Sequence, residues 1–162
     1  MTSGERNRTI KEGKNAPDFK LLANNRKTFA LKDLKGKNIV LFFYPKDDTP
    51  GCTIEACGFR DSFSEIEKLG AIILGISPDS VKSHETFINK FNLPFPLLAD
   101  EEKTMCKDYG VWVEKSMYGK KYMGVARTTF IIGKDGKIFK IFEKVKPEGH
   151  NKEIIEVLKT LK

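Results

Sequence analysis

The stretch "NIVLFFYPKDDTPGC" (residues 38–52) decides the fold, because it joins a continuous apolar run to the start of a helix. A second continuous run, "AIILGIS", follows at residues 71–77. Runs rich in β-branched and aromatic residues are typical of strands buried on both faces of a parallel sheet. Between the two runs, apolar residues recur at helical spacing. The pattern therefore predicts a β-α-β unit with a right-handed crossover.

The rest of the chain extends this unit. An apolar stripe predicts a second helix over residues 80–91, and "TTFIIGKDGKIFKIFE" predicts a β-hairpin that turns at Lys134-Asp135, before a last helix. We predict an α/β fold, a thioredoxin-like three-layer sandwich with a mixed, mostly parallel central sheet. We also predict a mobile N-terminal tail over residues 1–15 and a single domain over residues 16–162.

Composition limits the function classes. The 162 residues are 40% hydrophobic, which suits one globular core. Lys and Arg number 29 against 22 Asp and Glu, so the net charge is +7. The lysines are spread along the chain without an arginine cluster, which predicts a solvated surface and no nucleic-acid partner. No apolar run approaches the ~18 residues of a membrane span. The sequence thus predicts a cytoplasmic protein with no membrane partner.

Three cysteines are too few for a disulfide scaffold. In a reducing compartment they indicate free thiols, metal ligands or redox chemistry. The three cysteines and two histidines show no metal-ligand spacing, so we predict neither a metal nor a cofactor. His84 lies on the apolar side of its predicted helix, and we expect it to be a hydrogen-bonded core residue.

The first cysteine lies where the apolar run gives way to a helix. If Thr49 is the N-cap, Pro50 occupies the first helical position and Cys52 the third. We expect the Thr49 hydroxyl to accept a hydrogen bond from the Cys52 amide. Unpaired amides and the helix dipole favour a thiolate at this place. The pattern predicts an activated cysteine at the carboxyl end of a central strand, while a half-buried structural cysteine fits the local sequence equally well.

The second cysteine follows five positions later. In a regular helix the Cα atoms of Cys52 and Cys57 would lie roughly 8–9 Å apart, beyond the ~7 Å limit for a disulfide. The two thiols cannot bond while the helix is intact. Gly51, Thr53 and Gly58 weaken this part of the helix. We therefore predict that a disulfide would form only if the first turns of the helix opened.

These residues resemble a known family. "PKDDTPGC" resembles the Pro-x-x-x-Thr-x-x-Cys motif of the peroxiredoxins. "TPGCTIEAC" is similar to the bacterioferritin comigratory protein, or peroxiredoxin Q, subfamily, whose second cysteine lies five residues after the first. The resemblance runs from about "APDFKL" to the C-terminal helix. It implies a thiol-dependent peroxidase that reduces hydrogen peroxide and organic hydroperoxides to water and alcohols.

The resemblance also implies a role for each motif residue. Cys52 would be the peroxidatic thiol that becomes a sulfenic acid, and Cys57 would resolve it as an intramolecular disulfide. Pro45 would shield the thiol, Thr49 would hydrogen-bond the peroxide, and Arg127 would be the active-site arginine. Thioredoxin or a similar dithiol would reduce the disulfide, and the protein would act as a monomer or weak dimer.

Other interpretations of these residues remain open at this point. The main alternative is a general thioredoxin-type thiol-disulfide oxidoreductase, although that chemistry commonly uses Cys-x-x-Cys and this chain has four intervening residues. A binding module that keeps the fold is a third class. Cys106 is expected to be a small buried residue rather than a resolving thiol. Glu55 is either a partner of Arg127 or a solvent-facing helix residue.

Overall fold

The structure is a computed structural model that describes residues 10–161. Within that range, strands and helices alternate along most of the chain. The strands are β1 (Lys20–Leu22), β2 (Thr28–Ala30), β3 (Asn38–Phe43), β4 (Ala71–Ser77), β5 (Leu97–Ala99), β6 (Trp112–Met117), β7 (Lys120–Val125), β8 (Thr128–Ile132) and β9 (Ile138–Phe142). The α-helices are α1 (Pro50–Asp61), α2 (Phe63–Lys68), α3 (Val81–Phe91), α4 (Thr104–Asp108) and α5 (His150–Leu158).

Five strands form the central sheet, in the order β5-β4-β3-β8-β9. β3 and β5 pair parallel to β4, whereas β8 pairs antiparallel to both β3 and β9. Four of the five strands consequently point the same way, and only β8 is reversed. The predicted α/β fold with a mixed, mostly parallel sheet is confirmed. β3 lies at the centre, where the β-α-β unit places it.

Apolar side chains cover both faces of this sheet. Alternate residues of β3 point to opposite sides, so Leu41 belongs to one apolar cluster and Phe42 to the other. The Phe42 cluster is completed by residues of α1, α2, α3 and α5 and includes Cys52. The Leu41 cluster is completed by α4 and the chain near β1 and includes Cys106. The two cysteines therefore lie on opposite sides of the sheet.

The chain before β1 packs against the predicted β8–β9 hairpin, which is present. Ile10 is buried, and the Gly13 amide donates to the Ile138 carbonyl oxygen at 2.7 Å. Asn15 forms a β-bridge with Lys137. The packed chain thus starts by residue 10, earlier than the domain boundary at residue 16 that the sequence predicted. The remainder of the predicted tail, residues 1–9, lies outside the described residues.

A second hairpin, β6–β7, precedes β8, and its register pairs Lys115 with Tyr122. The sequence analysis did not predict it. The hairpin matters for function because β7 ends two residues before Arg127. Across residues 10–161, no helix is both long enough and apolar enough to cross a membrane.

Candidate active site

The loop between β3 and α1 delivers Cys52 to the carboxyl end of the central strand. α1 begins at Pro50, as predicted, so Cys52 is its third residue and is only 1% exposed. The first hydrogen bond of the helix runs from the Thr53 amide to the Thr49 carbonyl oxygen at 2.8 Å. The amides of Gly51 and Cys52 precede that bond, at the positions where a helix provides no acceptor of its own. Their N–H groups add positive potential at the thiol.

The prediction that the Thr49 hydroxyl accepts a hydrogen bond from the Cys52 amide is wrong. Thr49 is the N-cap residue with extended backbone angles, but its side chain makes no capping bond. Its hydroxyl instead donates to the Lys46 carbonyl oxygen at 3.0 Å. The reason is the tight turn before the helix, where Asp48 has a φ of 58° and brings Lys46 back toward Thr49. The Thr49 oxygen keeps its lone pairs available as hydrogen-bond acceptors.

Arg127 joins the thiol to a buried carboxylate. It lies between β7 and β8, and its Nη2 donates to Cys52 Sγ at 3.2 Å. Its Nη1 donates to Glu55 Oε1 at 2.7 Å. Cys52 and Glu55 are three residues apart on α1, so they face the same side of the helix. One planar guanidinium can therefore contact both, which a lysine ammonium could not do with the same fixed geometry.

Gly51 makes room for this contact. A Cβ built on Gly51 would lie 3.1 Å from Arg127 Nη2 and 3.5 Å from Cγ of Pro147. Any larger residue would push the guanidinium away from Cys52. The sequence analysis treated Gly51 only as a weak point of the helix, and the structure adds close approach as a second reason for a glycine here.

Glu55 is the buried partner of Arg127 and not a solvent-facing residue. Its side chain is fully buried, and Oε2 has no hydrogen-bond partner within the described part of the chain. Burial raises the pKa of Glu55 to about 7, although the adjacent Arg127 opposes that change. The carboxyl group is thus poised to take up a proton near neutral pH.

The raised pKa of Glu55 predicts a pH-dependent stability. A carboxyl that binds its proton more tightly in the folded state stabilises that state fully below its ordinary pKa of 4.5, and loses the effect as pH rises through about 7. Over this window we expect the free energy of unfolding to fall by up to about 3 kcal/mol. Glu55→Gln keeps an acceptor for Arg127 but cannot titrate, so it serves as the control. Urea unfolding of both proteins from pH 4.5 to 7 measures the difference, and parallel curves would contradict the assignment.

The Arg127 guanidinium stays protonated and positively charged. Burial by itself would lower the pKa of Arg127, but Glu55 and the Cys52 sulfur together raise it above the ordinary value. A second cation, Lys115 on β6, is half-buried nearby. Burial lowers the pKa of Lys115, and Arg127 lowers it further, whereas the charge of Cys52 raises it. The sequence analysis missed Lys115 because only the β6–β7 pairing brings it to the site.

The structure does not place every candidate in contact with the thiol. Pro45 is half-buried in the β3–α1 loop, and Cys57 is half-buried on the intact helix α1. All three cysteines are free thiols. Cys106 lies on the opposite side of the sheet, where burial and the neighbouring Asp100 raise the pKa of its thiol far above the ordinary value. Cys106 is therefore held as an unreactive thiol.

Fold and site together define a class of protein. An α/β sandwich presents a cysteine at a helix start, beside a fixed guanidinium and backbone amides. Such donors stabilise negative charge on sulfur and on an oxygen that departs from it. This is the arrangement of a thiol-based redox enzyme.

Comparisons with known proteins identify the family. Residues 13–141 match the model of the AhpC/TSA family. The chain is 52% identical over 147 residues to a putative peroxiredoxin bcp of Coxiella burnetii, covering 91% of this chain and 97% of that protein. It is 48% identical over 153 residues to peroxiredoxin Bcp of Bacillus subtilis, covering 94% and 98%. A solved structure of the bacterioferritin comigratory protein of Xanthomonas campestris superposes with a TM-score of 0.86 at 37% identity, covering 92% and 98%.

The chain belongs to the AhpC/TSA family and, within it, to the bacterioferritin comigratory protein or peroxiredoxin Q group of peroxiredoxins. The thioredoxin-like fold expected from the sequence is confirmed by these neighbours. Membership in this group makes the protein a thiol peroxidase.

Proposed function

We propose that Cys52 reduces hydrogen peroxide and alkyl hydroperoxides and is then resolved by Cys57. The observation that carries the proposal is the 3.2 Å hydrogen bond from Arg127 to Cys52 Sγ at the helix start. The Xanthomonas campestris relative is described for its alkyl peroxide reduction activity, which supports the inclusion of alkyl hydroperoxides.

In the first step, the Cys52 thiolate attacks the terminal oxygen of the hydroperoxide. A sulfur–oxygen bond forms, the oxygen–oxygen bond breaks, and the departing oxygen takes a proton to become water or an alcohol. Sulfur is oxidised to a sulfenic acid while the peroxide is reduced. Negative charge moves from Sγ to the departing oxygen along this path. Arg127 and the Cys52 amide are donors in place for that charge, so they favour the transition state over the ground state.

Thr49 and Pro45 orient and protect the reacting groups in this proposal. The Thr49 hydroxyl proton already binds the Lys46 carbonyl oxygen, so Thr49 Oγ1 accepts a hydrogen bond from the peroxide O–H. Arg127 donates to the peroxide oxygens from the other side. Pro45 has no amide proton and keeps one edge of the site apolar. The small substrate is thus held in line with Sγ.

In the second step, the Cys57 sulfur attacks the sulfenic sulfur of Cys52. A disulfide forms, and the sulfenic oxygen leaves as water after taking a proton. Since α1 is continuous from Pro50 to Asp61, this step needs the first turns of the helix to open. The later part of α1 is better anchored, because Phe59 is fully buried and Asn151 Nδ2 donates to Ser62 Oγ at 2.7 Å. Opening is therefore confined to the segment before Phe59.

A dithiol protein such as thioredoxin then reduces the disulfide through a mixed disulfide and supplies the two electrons. In this proposal the protein acts as a monomer or weak dimer, and the contacts of Cys52 with Arg127 and of Arg127 with Glu55 are made within one chain. The reducing cytoplasm predicted from the sequence would provide this reductant. Peroxide-dependent NADPH consumption with thioredoxin and thioredoxin reductase tests the whole cycle. A general disulfide oxidoreductase would instead reduce protein disulfides without consuming peroxide.

Removing Cys57 separates the two steps. For Cys57→Ser we expect the first peroxide equivalent to react at the wild-type rate, within about twofold, because Cys52 and Arg127 are untouched. Turnover with thioredoxin should stop, and Cys52 should proceed to sulfinic acid under excess peroxide. Single-turnover kinetics and intact-protein mass measure both. Cys106→Ala is the matched control and should turn over normally, whereas normal turnover of Cys57→Ser would assign resolution to another thiol.

A further inference from the structure

A buried polar cluster lies beside the active-site loop, and the reaction described above does not use it. Its centre is Asp47, which is 8% exposed and follows Pro45 by two residues. Asp47 Oδ1 accepts from the Tyr44 hydroxyl at 2.6 Å, and Oδ2 accepts from the Ser83 hydroxyl at 2.8 Å. His84 is fully buried on α3, with Nδ1 at 2.7 Å from Asp47 Oδ2.

The cluster is complete without a metal ion. Asp47, Asp79 and His84 bring possible ligand atoms within 4.8 Å of one another, as a metal site would. Asp79 Oδ2, however, already accepts from the Asp47 amide at 2.8 Å and from the Ser77 hydroxyl at 2.7 Å. The Asp47 oxygens and the His84 nitrogens are likewise engaged. Protein groups already satisfy these ligand atoms. The cluster therefore has the features of a hydrogen-bond network that connects the β3–α1 loop to α3, and not those of a cation site.

The hydrogen-bond partners of His84 indicate where the protons of the cluster lie. His84 Nε2 lies 2.9 Å from the Leu98 carbonyl oxygen, which can only accept, so Nε2 carries a proton. Nδ1 faces the Asp47 carboxyl group, and because both oxygens of that group already accept from hydroxyls, the arrangement favours the ring as the donor of the proton between Nδ1 and Oδ2. Other charged or titratable groups around the ring and its partner are Tyr44, directly after β3, and Asp79, after β4. Without a proton between Nδ1 and Asp47 Oδ2, two lone pairs would face each other at 2.7 Å.

The hydrogen bond between His84 and Asp47 holds the β3–α1 loop, which leads to Cys52. Asp47 lies between Lys46, whose carbonyl oxygen accepts from the Thr49 hydroxyl, and the turn residue Asp48. Fixing Asp47 to α3 therefore fixes the Lys46 carbonyl and, through it, the Thr49 hydroxyl next to the helix start. The neighbouring Asp48 also reaches α3, through an exposed ion pair with Lys90 at 2.7 Å. An exposed pair of this kind contributes little by comparison.

We propose that His84 is a positioning residue: by donating from Nδ1 to Asp47, it clamps the β3–α1 loop so that Thr49 is set for the peroxide at Cys52. The inference rests on the proposed function for its kinetic consequence, but the clamp has its own spectroscopic sign. In the reduced protein, nitrogen-edited NMR should show N–H protons on both ring nitrogens of His84. A ring with a single N–H proton would overturn the clamp even if peroxide reduction at Cys52 were established.

Two amide variants of His84 separate a positioning role from simple packing. His84→Asn places an amide N–H where Nδ1 lies and keeps the bond to Asp47, whereas His84→Gln places it where Nε2 lies and keeps only the bond to Leu98. We expect the rate constant for Cys52 oxidation by hydrogen peroxide to stay within threefold of wild type in His84→Asn. In His84→Gln it should fall at least tenfold. Equal losses in both variants, following their melting temperatures, would overturn the proposal.

Two variants of Asp47 provide a second comparison if the His84 variants do not fold. Asp47→Asn can donate to a neutral ring and keeps the loop fastened, so Cys52 oxidation should remain within threefold of wild type. Asp47→Ala releases the loop and should be at least tenfold slower. Lys90→Met, which removes only the exposed ion pair of the same loop, is the control and should change the rate by less than twofold. Equal rates for the two Asp47 variants would contradict the clamp.

Discussion

Replacing Cys52 by serine should lower the rate of the first peroxide reaction at least about a thousandfold, equivalent to about 4 kcal/mol of activation free energy. A serine hydroxyl is a far weaker nucleophile than a thiolate, and the helix start and Arg127 cannot ionise it at neutral pH. Cys57 would still react, but only as a half-exposed thiol without the guanidinium. Single-turnover mixing with hydrogen peroxide, followed by trapping of sulfenic acid and mass analysis, measures the loss.

The matched control for this experiment is Cys106→Ala. Cys106 is fully buried on the other side of the sheet, and the pKa of its thiol is raised by burial and by Asp100. Removing it should leave the rate of Cys52 oxidation unchanged within about twofold. Rapid sulfenic acid formation on Cys57 or Cys106 in the Cys52→Ser protein would refute the assignment of Cys52 as the reacting thiol.

The fold could be predicted because its determining patterns are local. The continuous apolar run at residues 38–44 became β3 apart from its last residue, and the run at 71–77 became β4. Pro50 fits the first turn of a helix and cannot continue the ladder of a central strand, so the helix start was also predicted correctly. Strand pairing then followed from the crossover rule, since two buried strands separated by a helix pair in parallel.

The Thr49 hydrogen bond could not be predicted from the same local rules. N-cap residues commonly accept from an amide of the first turn, and the sequence has an ordinary cap residue at this place. The outcome depends on the backbone of Asp48, which adopts a left-handed conformation that draws Lys46 back toward Thr49. That conformation is in turn stabilised by contacts of Asp47 with residues more than 30 positions away. Such contacts have no signal in a short motif.

The positions of Glu55 and Lys115 are determined by tertiary contacts that a local sequence pattern does not reveal. The sequence left Glu55 ambiguous, because its position on the helix allows either burial or exposure. Its burial is decided by Arg127, 72 positions away. Lys115 required the β6–β7 hairpin, whose strands carry exposed Met117, Tyr122 and Met123 and therefore lack the usual alternation of a half-buried hairpin. Family resemblance predicted the role of Arg127, but it left Glu55 as either the partner of Arg127 or a solvent-facing residue, and the structure decides for the partner.

The second large effect concerns Arg127. Arg127→Lys keeps the positive charge, yet we expect the rate of Cys52 oxidation to fall about a hundredfold, equivalent to about 2.7 kcal/mol. The guanidinium donates to Cys52 Sγ and to Glu55 Oε1 from two fixed nitrogens at once. A lysine ammonium is a point charge on a flexible chain, so pairing with the buried Glu55 would draw it away from the sulfur and the peroxide. The loss should appear in the second-order rate constant with hydrogen peroxide, measured in single turnover.

Arg60→Lys is the control for Arg127→Lys. Arg60 lies on α1 about two turns after Cys52, and it donates to the Phe91 carbonyl oxygen instead of to the thiol. It should leave the rate within about twofold of wild type. Both variants retain the net charge, so a difference between them isolates the geometry of the guanidinium from long-range attraction. If Arg127→Lys lost less than about threefold, some 0.7 kcal/mol, charge alone would explain the role of Arg127 and the two fixed donors would not be needed.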